Sequence, residues 1–346
     1  MLQPTTTAQV SEAIDGARRA GVPLSIRGSA KLDAAEGETA ISTTALDSVI
    51  EYRPEDLTIA VGAGMTLEQL DAELGPHGQT AVLPETSPGR TVGGVVATAA
   101  SGYRRLKYGP TRDRVLGVTV ATGYGEIAHG GGQLVKNVTG YDLPRLLTGS
   151  FGSLGIITEV IFKLWPNAPH AATYAIEQPG LALQTVFRPL AVLETETGSF
   201  LYADGSEAGV TNVQEALSDN AIGHDVTEGL LWPEEMDTAV VLSVRVPPRS
   251  LVSAVEVVRD SGAERWIAQH GVGVVECGFA EMSSDGVAGL RTSIAALGGF
   301  VVIEDGSADL GDRWGMVPGT QQIQQRLKSL FDPDGVCNPG ALPGGL

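Results

Sequence analysis

Apolar and polar positions along the first half of the chain alternate with two different periods. Between residues 5 and 20, Val10, Ala13, Ile14 and Ala17 recur at helical spacing and Gly21 closes the pattern, which predicts a helix. Residues 22–26 form a short apolar run ending at Arg27-Gly28, read as a strand. Residues 40–46, 48–52 and 57–61 read as further strands, with Pro54-Glu55-Asp56 as a turn. Residues 66–74 return to helical spacing. Thr66 and Gln69 stand in capping-box register there, and Gly75-Pro76 stops the helix. A helix of small residues is expected over 91–100. A hairpin is expected over 114–122 and 126–129, around Gly123-Tyr124-Gly125. Asp142 is placed to cap a helix with Pro144 in its first turn. Residues 155–164 alternate as a half-buried strand that Pro166 ends.

The pattern changes after Pro169, where the glycine clusters thin out. Residues 240–246, 272–278 and 300–304 read as strands, 251–259 and 287–296 as helices, and 321–330 as a last helix. Alternating elements of this kind predict a second α+β domain. No internal repeat is visible. The tail after Phe331-Asp332-Pro333-Asp334-Gly335 is rich in glycine and proline.

Composition narrows the function classes. The chain has 346 residues, 23 Lys and Arg against 41 Asp and Glu, and a net charge of −18. Binding nucleic acid by phosphate neutralisation needs a basic face, so a nucleic-acid partner is not expected, nor is a polybasic membrane anchor. Residues 1–12 show no basic n-region or apolar core, so no secretory signal is read there. The longest uncharged runs, 91–103 and 146–158, fall short of the ~18 residues of a membrane span. A soluble, cytoplasmic protein is expected. Cys277 and Cys337 are too few to hold an iron–sulfur cluster, which takes about four thiolates. One disulfide or two reduced thiols remain open. His77, His129, His170, His224 and His270 are scattered without metal-ligand spacing, and no metal site is expected.

Glycine is the unusual residue: there are 45 of them, well above the usual ~7% of a chain. They concentrate where side chains are small. Thr91-Val92-Gly93-Gly94 opens a helix that runs through Ala97 to Ser101-Gly102 with hardly a bulky side chain. Such a start exposes backbone amides to a phosphate or lets an extended ligand lie on the backbone, or else it packs closely on a sheet. Gly149-Ser150-Phe151-Gly152-Ser153-Leu154-Gly155 precedes a strand in the same manner, and Arg27-Gly28-Ser29-Ala30-Lys31 follows one. Gly62-Ala63-Gly64 begins like a dinucleotide fingerprint, but Leu67 stands where its third glycine belongs. No P-loop lysine motif or Gly-x-Ser-x-Gly elbow is present.

These segments occur in a familiar order, together with Tyr108-Gly109, Asn137-Val138-Thr139-Gly140-Tyr141-Asp142 and terminal Asn338-Pro339-Gly340. The chain resembles FAD-linked oxidases of the vanillyl-alcohol oxidase (PCMH) type. It resembles most the FAD-binding (E) subunits of bacterial glycolate oxidases. The resemblance implies an α+β fold: a PCMH-type FAD-binding domain of two α+β subdomains at 1–168, a smaller α+β cap domain at 169–318, and a C-terminal helix and tail at 319–346 returning to the FAD domain. It implies FAD contacts from Arg27, Gly28, Ser29, Ala30 and Lys31 at the pyrophosphate. Further contacts are implied from Thr91, Val92, Gly93, Gly94, Ala97, Ser101 and Gly102, and from Ser153, Gly155 and Ile157 on the adenosine side. Tyr108, Asn137, Thr139 and Asn338 complete the implied set.

Three departures qualify the resemblance. Ser29 and Ala30 stand in a loop that relatives make from glycines, and their Cβ atoms resist positive φ. No His or Cys occurs in 20–76, so the FAD is expected to be non-covalent. No His-x-His occurs anywhere, so the cap lacks the family's recognised substrate-binding metal motif, and no catalytic residue is assigned. The expectation is therefore a flavoprotein subunit of a glycolate oxidase-like, 2-hydroxy-acid dehydrogenase complex. Its partners would be a catalytic flavoprotein subunit and an iron–sulfur subunit, and it would be cytoplasmic or peripheral to the inner membrane through them. The alternatives are a self-sufficient FAD oxidoreductase, with His270, Glu276, Glu304 and Arg245 as cap residues to test, and an assembly subunit with a degenerate FAD site.

Overall fold

The structure, a computed structural model, describes residues 1–28, 37–85, 89–133, 141–315 and 319–346. The chain forms two compact units: Met1–Gly102, Pro110–Asn167 and Val317–Leu346 make the first, Tyr103–Gly109 and Ala168–Met316 the second.

The first unit opens with α1 (Thr7–Ala20). The Thr6 side chain accepts the Gln9 amide at its start, Gly21 at φ 64 ends it, and Val10, Ile14 and Ala17 form its buried face. Next come β1 (Leu24–Arg27) and β2 (Thr39–Ser42), a parallel pair, then β3 (Val49–Arg53) and β4 (Thr58–Gly62). α2 (Leu67–Leu74) carries the expected capping box, with Thr66 and Gln69 each bonding the other's backbone. β5 (Gln79–Thr80) precedes α3 (Val92–Thr98), which stops at Ala99 in a left-handed conformation rather than running to residue 100. α4 (Arg105–Tyr108) belongs to the second unit. The expected hairpin is β6 (Val115–Thr122) with β7 (Ile127–Gly131). Asp142 accepts the Arg145 amide at the start of α5 (Leu143–Leu147), and β8 (Gly155–Lys163) and β9 (Trp165–Pro166) complete the run.

Five of these strands make an antiparallel sheet in the order β3-β4-β8-β6-β7. Leu70, Leu74, Val92, Val95, Val96 and Leu147 from α2, α3 and α5 pack with Ile59, Val61, Val120 and Phe162 of the sheet. A second core joins α1 and the β1–β2 pair to Ala121 and Ile156.

In the second unit, β10 (His170–Ile176), α6 (Pro179–Thr185), β11 (Ala191–Thr195), β12 (Gly198–Gly205), α7 (Glu207–Asp219) and β13 (His224–Glu228) form a βαββαβ run. The pattern then repeats as β14 (Val240–Arg245), α8 (Leu251–Asp260), β15 (Arg265–Gln269), β16 (Val274–Phe279), α9 (Ser284–Ala296) and β17 (Phe300–Asp305). The sheet order is β13-β10-β12-β11-β15-β16-β14-β17, so each half reads 4-1-3-2 from its outer edge and the halves meet at β11 and β15. That seam has three register pairs: Leu193 with Gln269, Glu194 with Ala268, Thr195 with Ile267. The repeat that the sequence does not display is thus a repeat of topology. α6 has 7 residues and α8 has 10, so no fixed period links equivalent positions.

Alternate residues of the strands serve opposite faces. Val192, Leu201, Leu242, Ala268 and Cys277 meet the helices, whereas Leu193, Tyr202 and Ile267 share the other face with Tyr103 and Trp232. Trp232 stacks on Tyr202, with ring centroids 4.2 Å apart. Tyr103–Gly109 packs here because Tyr103 meets Trp232 and because Lys107 pairs with Asp204. α10 (Gln321–Phe331) belongs to the first unit, and the chain then runs beside β1, where Leu24 N–H donates to Val336 O and Asn338 N–H to Leu24 O.

Candidate cofactor site

The first unit brings several of the expected cofactor segments together. β1 ends at Arg27-Gly28, and Arg27 O accepts the Thr43 amide at 3.0 Å. Gly28 lies against Thr91: a Cβ there would stand 2.5 Å from Thr91 Oγ1. The loop beyond, with Ser29, Ala30 and Lys31, lies outside the described residues, as do Asn137 and Thr139.

Thr91 is the buried N-cap of α3, but the helix start is not a set of spare amides. Val92 N–H donates to Met65 O (2.8 Å), Gly93 N–H to Ala63 O (2.7 Å), Gly94 N–H to Thr91 Oγ1 (3.2 Å) and Val95 N–H to Thr91 O (2.9 Å). The expectation of exposed phosphate-binding amides therefore fails here. Close packing is what Gly93 provides: an added Cβ would come within 2.7 Å of Ala63 Cβ and 2.8 Å of its carbonyl oxygen. Val92 and Ile157 are core residues, and Gly155 is bare because Ala121 O and Thr122 Cα leave a Cβ no space.

The other end of α3 is tied to the third segment. Val96 O accepts the Gly149 amide at 3.0 Å, and Ala97 O accepts the Phe151 amide at 2.8 Å. Gly149 and Gly152 both hold positive φ, 86° and 72°, which glycine adopts without strain. Ser153 is fully buried, and its hydroxyl donates to Ser150 O at 2.6 Å. Ser101 Oγ accepts the Thr111 amide at 3.1 Å. Thr111 Oγ1 in turn donates to Ala100 O (2.6 Å) and accepts from the buried Arg114 (3.4 Å). Gly102 packs on Pro84 and the Glu85 carboxylate.

Two further expected contacts have partners within the protein. Tyr108 is in the second unit, its hydroxyl 3.5 Å from Asp204 Oδ2. Burial, and secondarily the Asp204 charge, push the phenol up from its ordinary value. Asn338 uses its carboxamide within the protein: Oδ1 accepts the Ile26 amide (2.6 Å) and Nδ2 donates to Phe151 O (2.8 Å).

Sequence reasoning missed the network behind this tail. Lys328 Nζ donates to Ser153 O (2.7 Å), Cys337 O (2.9 Å) and Asp332 Oδ2 (2.6 Å), while Asp332 also accepts the amides of Val336 and Cys337. The signal was the Asp332-Pro333-Asp334-Gly335 stretch, which reads as a surface turn although Asp332 is 1% exposed.

One observation is consistent with the expected extended dinucleotide at this loop. Ser150 Oγ is buried and has no hydrogen-bond partner among the described residues, and it lies in the loop between Gly149 and Gly152, both at positive φ. A buried hydroxyl of this kind calls for a partner that the described protein atoms do not supply.

In the second unit, His270 Nε2 lies 2.8 Å from Glu194 Oε2 across the seam of the repeats. Arg245 and Glu304 pair on the surface at 3.6 Å, and Arg313 joins Glu304 at 2.9 Å. Trp266 and Ala268, which alternate in phase with His270, pack among the helices, and so do Val244 and Val246 on either side of Arg245, which puts Arg245 on the opposite face of the sheet. His270 and the Arg245–Glu304 pair are thus separate features. Among the described residues no group of three or more His, Cys, Asp or Glu is placed to hold a metal, and no helix is long and apolar enough to cross a membrane.

The FAD-binding domain family matches residues 1–131. An uncharacterized FAD-linked oxidoreductase of Mycobacterium tuberculosis is 37% identical over 176 residues, which cover 49% of this chain and 38% of that protein. The chain thus spans well under half the length of that relative. The glycolate oxidase subunit GlcE of Escherichia coli is 28% identical over 321 residues, covering 85% of this chain and 84% of that subunit. Among solved structures, an alkyldihydroxyacetonephosphate synthase has a TM-score of 0.71 at 18% identity, over 99% of this chain and 76% of the other.

Proposed function

We propose, from the premise that the chain belongs to the FAD-linked oxidases of the vanillyl-alcohol oxidase (PCMH) type and uses FAD as its cofactor, that it is the FAD-binding subunit of a glycolate oxidase-like, 2-hydroxy-acid dehydrogenase complex. The observation that carries this reading is the similarity to a glycolate oxidase subunit along most of both chains. Bound flavin supplies the redox chemistry, and the protein supplies position and surroundings. Gly28, Gly94, Ala97, Ser101 and the loop Gly149–Ser153 would hold the cofactor, with Ser150 Oγ giving or taking a hydrogen bond at a buried position. The lack of His or Cys over 20–76 supports a non-covalent cofactor.

With no His-x-His in the chain, substrate oxidation is assigned to a catalytic flavoprotein partner and onward electron transfer to an iron–sulfur partner. The two cysteines present are both buried and could not serve a cluster of about four thiolates. The subunit works in the cytoplasm, or at the inner membrane through those partners.

The test is spectroscopic first. The purified chain is expected to be yellow with a flavin absorption band, and the flavin should leave the precipitate on denaturation. Colourless protein that takes up no added FAD would favour an assembly subunit with a degenerate site. Glycolate or D-lactate oxidation with a dye acceptor should require the partner subunits, and enzyme-like turnover by the chain alone would refute the complex reading. The part-buried His270–Glu194 contact favours a second reading, a self-sufficient oxidoreductase. Loss of such turnover in His270→Ala, with FAD retained, would establish it.

A further inference from the structure

We infer that Asn338 is a positioning residue of the cofactor site, acting as a latch between its two walls rather than as a cofactor contact. The inference rests on the FAD reading above for the meaning of those walls. One wall is the end of β1, where the Ile26 amide, immediately before Arg27-Gly28, donates to Asn338 Oδ1 at 2.6 Å. The other is the Gly149–Ser153 loop, where Phe151 O accepts from Asn338 Nδ2 at 2.8 Å. The two segments are far apart in sequence, and one carboxamide holds both.

Three further observations show that the latch is built. Asn338 sits at φ 39, a left-handed conformation that Asn tolerates better than most residues. Gly152 leaves room for it: a Cβ there would come within 2.9 Å of Asn338 Nδ2. The tail that carries it is fastened on both sides, by Leu24 through the Val336 and Asn338 backbones, and by Lys328, whose ammonium bonds Ser153 O and Cys337 O together. The bonding also fixes the residue type. An acceptor and a donor are needed at once, and Asp offers only the acceptor when ionised.

The experiment compares Asn338→Ala, Asn338→Asp and Ser150→Ala with the full chain. It measures FAD affinity by titration of the apoprotein and amide hydrogen exchange of that apoprotein. Losing one or two part-buried hydrogen bonds should weaken FAD binding about tenfold in both Asn338 variants. Exchange over 149–154 should rise in the apoprotein before any FAD is present. Asn338→Asp keeps the bond to the Ile26 amide, so a failure of Asn338→Ala to fold leaves the test intact. Weakened FAD with unchanged apoprotein exchange would overturn the latch in favour of direct contact. Unchanged FAD affinity in the Asn338 variants, with weakened affinity in Ser150→Ala, would overturn the latch and keep the cofactor site. Unchanged affinity in all three would overturn both.

Discussion

Lys328 Nζ lies 2.6 Å from Asp332 Oδ2, one turn along α10, and the Asp332 side chain is fully buried. The carboxylate also receives two backbone amides, so each of its oxygens is engaged. Removing one partner of such a pair leaves a buried charge without compensation. Asp332→Ala is expected to cost about 3–5 kcal/mol, read from urea denaturation. Replacing both residues by apolar ones, Lys328→Met with Asp332→Leu, should cost less than the single change, because neither charge is then stranded.

Gly93 and Gly94 are neighbours with opposite expectations. A Cβ on Gly93 meets the backbone oxygen of Ala63, which has no freedom to withdraw. Gly93→Ala should destabilise the chain by about 1–3 kcal/mol. A Cβ on Gly94 meets only Thr91 Oγ1, at 3.1 Å, and gains helix propensity. Gly94→Ala should leave thermal stability near its starting value. A fall in FAD affinity in that variant alone would place the cofactor on this side of α3.

Thr111 connects a buried arginine to the Ser101 turn. Thr111→Val removes a donor to Ala100 O and an acceptor of Arg114 while keeping the amide bond to Ser101. The expected cost is about 1–3 kcal/mol in denaturation, the range for leaving buried polar groups without partners. Thr111→Ser should recover most of it.

The thiols predict a pH dependence. Burial pushes Cys277 and Cys337 up from 9.0 to about 12, with added repulsion from Glu276 and Asp332 respectively and opposition from Lys328 at Cys337. Folded thiols therefore keep their protons while unfolded thiols lose theirs. The unfolded state then binds fewer protons, so stability falls as pH rises from the ordinary thiol range toward 12, by about 1.4 kcal/mol per pH unit for each thiol. Below that range the contribution is complete. Denaturation midpoints in Cys277→Ala and Cys337→Ala should each show a shallower alkaline decline. Thiol reagent at about pH 8 should label the unfolded chain and spare the folded one.

Local signals were legible in sequence. The Thr66–Gln69 capping box, the Asp142 cap and the Gly123–Gly125 hairpin each need only neighbours in the chain, and each is present. Signals that require distant partners were not. The bonds of Asn338 to Ile26 and Phe151, both far away in the chain, are one case. Gly93 reads equally as ligand cradle or helix packing until Ala63 is in place. None of the four strands in the first half of the βαββαβ tandem was read, because partners such as Tyr174 and Val226 are paired only through the sheet.

The segment Tyr103–Gly109 has a consequence for anyone dividing the gene. The chain enters the second unit at Tyr103, leaves it at Pro110, and enters it again at Ala168. Neither unit is a single stretch of reading frame. A fragment cut at Ala168 would leave Trp232 without Tyr103 and Asp204 without Lys107. Exchange of modules between related genes would therefore have to carry seven codons from inside the first unit along with the second.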